Sequence, residues 1–141
     1  MATLSNIVFY ANDPQRLADF WSGVFGYPPR RIEGEFREQL LAGGLTDADL
    51  AKRAVAESPD GSGPRIFFHH ASGPKTGRNR LHIDVRAVEG RPPTEDELDA
   101  EKDRLVALGG SVFRLIDQDW GPFHERYYQM LDPEGNEFDL Q

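Results

Sequence analysis

The chain has 141 residues, 16 Lys and Arg against 24 Asp and Glu for a formal net charge of −8, and no Cys; at roughly 150 residues per domain this is one domain, or two small halves fused. The absence of Cys excludes a disulfide scaffold, a Cys-ligated zinc or iron–sulfur site and a thiol nucleophile. Acidity without a Lys/Arg stripe, and the lack of any apolar run near ~20 residues, lead to the expectation of no nucleic-acid partner, no membrane partner and a cytoplasmic location.

Leu4 to Tyr10 is short, apolar and rich in β-formers, and reads as a strand. Asn12-Asp13-Pro14 then supplies a cap and a proline suited to the first helical turn. Leu17, Phe20, Trp21, Val24 and Phe25 follow at the spacing of one apolar helical face, and Gly26 marks the stop. Between Tyr27 and Gly63, Pro28-Pro29 opens an extended stretch and Glu35 to Leu41 suits one or two helical turns. Thr46-Asp47-Ala48-Asp49 resembles a capping box, predicting a helix over Leu50 to Glu57. The whole stretch reads as an inserted helical arm, closed by the turn-rich connector Pro59 to Pro64.

Arg65 to Ala71 is a further strand, followed by a basic, glycine-containing loop from Ser72 to Arg78. Leu81-His82-Ile83-Asp84-Val85 alternates, with Leu81, Ile83 and Val85 assigned to a core face and His82 and Asp84 to the other. Thr94 to Glu97 forms a capping box for a helix through Leu98, Leu105 and Leu108, ending at Gly109-Gly110. Ser111 to Ile116, Phe123 to Leu131 and Glu137 to Leu140 complete the strands. Asp117 to Pro122 reads as a loop presenting Trp120, and Asp132 to Asn136 as a Pro- and Gly-containing turn. The fold class expected is α+β: two paired βαβββ modules forming a curved open sheet around a cavity, with a helical insertion in the first. Module 1 spans about 1–73 and module 2 about 78–141 of a single domain.

Parity then selects the side chains that face away from the helices. His82, Asp84, Glu137 and Asp139 share that face in the second module; Asn6, Val8 and Tyr10 take it in the first, and one of His69 and His70 must join them. Imidazole and carboxylate converging in a hollow are ligands for a divalent first-row metal.

The paired plan, the run Asn12-Asp13-Pro14 to Phe20-Trp21, and the ending Asp132-Pro133-Glu134-Gly135-Asn136-Glu137-Phe138-Asp139-Leu140 resemble the vicinal oxygen chelate superfamily. That superfamily contains glyoxalase I, bleomycin-resistance proteins, fosfomycin-resistance enzymes and extradiol dioxygenases. Lys75 to Asp84 resembles its glyoxalase-like domain subgroup. The resemblance implies four cavity positions, falling on Asn6, His69, His82 and Asp139; Asn6, where His is usual, is a degenerate fourth position. His69, His82 and Asp139 are left as the expected metal ligands, for Zn, Ni, Mn or Fe. Two functions remain open: a metal-dependent lyase or isomerase acting on a small oxygen-chelating substrate, with Glu137 or Asp84 as the base, or a metal-free protein that sequesters an antibiotic-type small molecule. Trp120, Tyr10, Phe123 and His124 are the candidate substrate contacts, and the superfamily's habit implies a homodimer.

Overall fold

The computed structural model describes residues 1–141. The chain divides into two compact units, Met1–Pro74 and Lys75–Gln141, each with its own sheet.

In the first unit β1 (Ile7–Ala11) leads to α1 (Pro14–Phe25). Asp13 caps this helix by accepting from the Arg16 N–H, Pro14 occupies its first turn, and Gly26 ends it in the left-handed conformation at φ 69°. Two helices follow, α2 (Gly34–Ala42) and α3 (Asp47–Leu50), before β2 (Arg53–Ala56) and β3 (Ile66–His70). The strand order is β1-β3-β2, with β3 parallel to β1 and antiparallel to β2. Leu17, Phe20 and Trp21 are buried on the inner face of α1, and Trp21 stacks on Phe9, which stacks in turn on Phe68. Full burial of side chains of this size stabilises by about 1.5–3 kcal/mol each, so this aromatic stack anchors the unit. Val8, Tyr10, Phe67 and His69 lie on the opposite face, as the alternation predicts.

The predicted helix over Leu50 to Glu57 does not form. Thr46 and Asp49 do make the reciprocal capping box, but the helix it opens is the single turn of α3. Residues 53–56 instead alternate, with Ala54 and Ala56 buried against Phe68 and Ile66 across the β2–β3 pairing. Burying small residues in a two-residue period against an available strand edge outweighs a local helical signal. The helical arm therefore stands, in chain order, where the second unit has a strand, and the first sheet has three strands. The connector after β2 is held where the Tyr27 hydroxyl donates to the Pro64 carbonyl at 3.2 Å. A Cβ at Gly63, which has φ 71°, would come within 2.4 Å of that hydroxyl, so only glycine fits.

The second unit runs β4 (Ile83–Val85), α4 (Glu95–Ala107), β5 (Ser111–Trp120), β6 (Phe123–Leu131) and β7 (Glu137–Leu140), in sheet order β4-β7-β6-β5. Thr94 and Glu97 form the predicted capping box, and three acidic residues in the first turn suit the positive end of the helix. Leu98 and Leu105 from α4 are buried, as are Val85, Met130, Phe138 and Leu140 of the sheet. The predicted turn closes β6 onto β7: the Asp132 carboxylate accepts from the backbone of Glu134 and Asn136 and from the Asn136 amide, while Gly135 takes φ 85°.

Two expectations are corrected here. Leu81 is not part of β4 and is 72% exposed, because the strand begins only where Ile83 pairs with Phe138. Asp117 to Trp120 is not a loop. The β5–β6 ladder continues to Trp120↔Phe123 around a two-residue turn, in which Gly121 at φ 61° supplies the positive φ that a tight hairpin needs.

Capping and core contribute on different scales in this unit. Urea unfolding of Thr94→Ala is expected to show a loss of about 1 kcal/mol. Phe138→Ala is expected to lose about 3–5 kcal/mol, and equal losses from the two would contradict this division.

Candidate metal centre

The polar face of the second sheet carries a row that crosses all four strands. Asp84 on β4 is directly opposite Asp139 on β7, Asp139 is opposite Gln129 on β6, and Gln129 is opposite Arg114 on β5. Arg114 reaches this row only through a bulge. The register passes from Val112↔Met130 to Arg114↔Gln129, leaving Phe113 without a partner. Without the extra residue the side chains of β5 beyond that point would alternate onto the other face.

Arg114 Nε donates to Gln129 Oε1 at 2.6 Å, which turns the amide nitrogen of Gln129 toward Asp139, and the Gln129 side chain hydrogen-bonds that carboxylate. Asp139 and Gln129 are both buried. Asp84 is exposed and accepts from Gln141 Nε2 at 3.0 Å. His82 stands just before β4, with Nε2 at 3.0 Å from Asp84 Oδ1 and 3.5 Å from Asp139 Oδ2.

Two like charges directly opposed on neighbouring strands destabilise a sheet. Burial pushes the Asp139 carboxyl above the usual carboxylate range; neighbouring Asp84 raises it further, and His82 opposes the shift. Neither carboxylate has a Lys or Arg within ion-pairing distance, and Arg78 acts on Asp139 only as a weaker, more distant charge, so no basic side chain directly neutralises the pair. The ligand atoms of His82, Asp84 and Asp139 all lie within 4.8 Å of one another. One imidazole nitrogen and two carboxylates at that spacing fit a divalent cation of the Mn, Fe or Zn type.

The other sequence candidates are placed as follows. Glu137 is on β7 but its carboxylate accepts from Lys75 Nζ at 3.0 Å and from the Asn79 N–H at 2.9 Å. Burial alone would raise its pKa, yet these bonds outweigh it and hold the group below its ordinary value. That carboxylate ties down the loop before β4. Asn6 and His69 belong to the first unit. The Asn6 Oδ1 accepts from Arg65 at 2.6 Å, and the His69 ring lies edge-on to Tyr10 with centroids 6.3 Å apart. Tyr10 is exposed on that same face. His70 points the other way and its Nδ1 sits 3.1 Å from the Asn12 carbonyl.

Trp120 and Phe123 stack at 6.5 Å at the end of the β5–β6 hairpin, both largely exposed. His124 is beside them, 2.9 Å from Asp119 and 3.3 Å from Asp117. Gln129 and Arg114 are absent from the sequence candidates. Parity along β6 from its pairing with β7 would have found Gln129. Arg114 depends on the bulge and has no comparable signal.

A three-stranded and a four-stranded open sheet, the second a complete βαβββ unit, have the fold of the vicinal oxygen chelate superfamily. The glyoxalase-like domain profile matches residues 6–141, and the chain belongs to that family. No curated protein sequence matches it significantly. Among solved structures it is similar to a mutant of the genomically encoded fosfomycin resistance protein FosX from Listeria monocytogenes, complexed with Mn(II) and 1S,2S-dihydroxypropylphosphonic acid. The identity is 16%, the TM-score 0.63, and the match covers 100% of this chain and 90% of that one. A glyoxalase/bleomycin resistance protein/dioxygenase family enzyme from Burkholderia phytofirmans is 18% identical at TM-score 0.58, over 99% of this chain and 97% of that one. A glyoxalase-related enzyme from Fulvimarina pelagi is 15% identical at TM-score 0.57, over 99% and 87%.

The flanking aspartates, with the Asp119 hydrogen bond foremost, raise the pKa of the exposed His124 above 6.5. A folded-state pKa above the unfolded value means that the protonated imidazole favours the hairpin below the unfolded pKa, and that this contribution is lost as pH rises through the folded one. NMR titration of His124 is expected to give a midpoint above 6.5 that falls in Asp119→Asn; a midpoint insensitive to that change would remove the pairing.

Proposed function

We propose that His82, Asp84 and Asp139 hold a divalent cation and that the protein acts as a lyase or isomerase on a small substrate with two neighbouring oxygens. The observation that carries this reading is the opposed Asp84–Asp139 pair closed by the His82 nitrogen, with ligand atoms within 4.8 Å of one another. The Mn(II) bound to the FosX relative supports it. A bound cation supplies Lewis acidity to substrate oxygens and stabilises negative charge developing there.

The chain's own residues do the positioning. Arg114 fixes Gln129, and Gln129 holds one Asp139 oxygen, so the buried carboxylate keeps a single orientation. Asp84 is held more loosely, by Gln141 alone among the amides, and stays open to solvent. Tyr127 lies two residues before Gln129 on β6; burial first, then Asp139 and Glu125, raises its pKa, so its hydroxyl keeps a proton available to an oxyanion. Glu137, committed to Lys75 and Asn79, is a poor base.

Mn(II) titration followed by electron paramagnetic resonance tests this. His82→Ala and Asp139→Asn are each expected to weaken binding by about 100-fold or more, and Gln129→Leu by about 10–100-fold, as for the removal of an orienting partner. Mn(II) affinity unchanged by His82→Ala would end the metal reading.

One observation favours a second reading, the binding of a planar cation without chemistry. The exposed Trp120–Phe123 stack shares its face of the hairpin with the Glu125 carboxylate, an aromatic surface with one negative charge beside it, while Asp117 and Asp119 alternate onto the other face and pair there with Arg126 and His124. Titration with a planar cationic dye such as ethidium is expected to quench Trp120 fluorescence in the native chain. The quench is expected to weaken by about fivefold or more in Phe123→Ala. Equal quenching in both proteins would set this reading aside.

A further inference from the structure

The helical arm of the first unit is not used by any reading above. No residue of α2 is buried, and Phe36 is 58% exposed although it shares a helix face with Leu40 at i, i+4. A helix that presents an apolar stripe and leaves it at most half-buried has space where its packing partner would be. That space is a cavity of about 590 Å³ between the arm, the segment Arg30–Ile32 and the edge strand β2, lying wholly within the first unit. Ile32, Phe36, Leu40, Leu50, Val55 and Phe67 make its apolar wall. The volume is in the range of about 300–1,000 Å³ typical of small-molecule sites.

The polar part of the wall is unlike the rest of this acidic chain. Arg30, Arg31, Lys52, Arg53 and Arg65 all line it. Arg30 and Arg65 share the one carboxylate of Glu57, at 3.0 and 2.6 Å. Arg31 pairs with Asp19 and Lys52 with Asp49. Five cations thus meet three carboxylates, and Arg53 makes no ion pair or side-chain hydrogen bond. Its neighbour across the β2–β3 pairing is His69, so its backbone is fixed while its exposed guanidinium has no protein acceptor. An apolar chamber with surplus positive charge and one guanidinium free of protein partners suits a ligand with an apolar body and a single anionic group.

We infer that the cavity beneath the helical arm is a binding site for a small amphipathic anion, with Arg53 receiving the anionic group and the Phe36–Leu40 stripe of α2 covering the apolar body. The inference rests on residues of the first unit alone and does not depend on the metal reading. It gives the arm a function: α2 acts as the wall that a ligand packs against, in place of a fourth strand.

The test uses the full chain and 8-anilinonaphthalene-1-sulfonate, an aromatic body carrying one sulfonate, with neutral N-phenyl-1-naphthylamine as its uncharged counterpart. Saturable fluorescence enhancement by the sulfonate at one site per chain is expected, with the neutral compound at least about tenfold weaker. Arg53→Gln is expected to weaken the sulfonate about tenfold while leaving the neutral compound unchanged, and Leu40→Trp to block both by filling the chamber. Circular dichroism and Mn(II) binding of both variants are expected to match the native chain, which separates loss of the site from loss of the fold. Equal affinity for charged and neutral probes, or sulfonate binding indifferent to Arg53→Gln, would overturn the inference. Binding that disappears as the protein concentration is raised would also overturn it, since a second copy of the chain would then be the natural cover of this face.

Discussion

Placing two carboxylates directly opposite each other on adjacent parallel strands is unfavourable unless something positive stands between them. In the second unit Asp84 and Asp139 are opposed in this way, and Asp139 is buried besides. Much of the unit can be understood as the apparatus around that conflict. His82 brings a nitrogen to both groups, Gln129 donates to the buried one, and Arg114 fixes Gln129 from the next strand. The core beneath, from Val85, Met130, Phe138 and Leu140, is apolar and continuous, so the polar row is held on a rigid floor.

The arrangement also separates residues that share chemistry but not duty. Glu137 and Asp139 are two residues apart on one strand, and parity alone treats them as equivalent. Their partners make them different. Glu137 accepts from a lysine and a backbone N–H and anchors the loop before β4, whereas Asp139 is desolvated and meets an imidazole and a second carboxylate. A carboxylate already neutralised by fixed donors stabilises a loop; one short of positive charge is available to a cation.

The two units solve the same sheet problem in different ways. The second places four strands side by side, while the first has three and a pair of helices in the position the remaining strand would take in chain order. Strands pair through their backbones, so an added strand seals an edge with hydrogen bonds whatever its side chains. A helix approaching the same edge must seal it with side chains, and α2 carries too few apolar residues to do so completely. The open volume beneath the arm follows from that difference.

What the sequence determines here is local. The cap and proline of α1, the two capping boxes, the Asp132-to-Asn136 turn and the alternation through His82, Asp84 and Asp139 are all readable because each is fixed by bonds or parity within a few residues. The resemblance to the superfamily rests on the same short stretches. Tertiary structure decides where local signals compete or are silent. Residues 53–56 become a strand because β3 offers an edge and a buried site for Ala54 and Ala56, an advantage no capping box can announce. Arg114 joins the polar row because one unpaired residue shifts the register of β5, and the hairpin continues to Trp120 because its partner strand does. Register and pairing are relations between distant segments, and the free energy that selects them exists only once both segments are folded against each other.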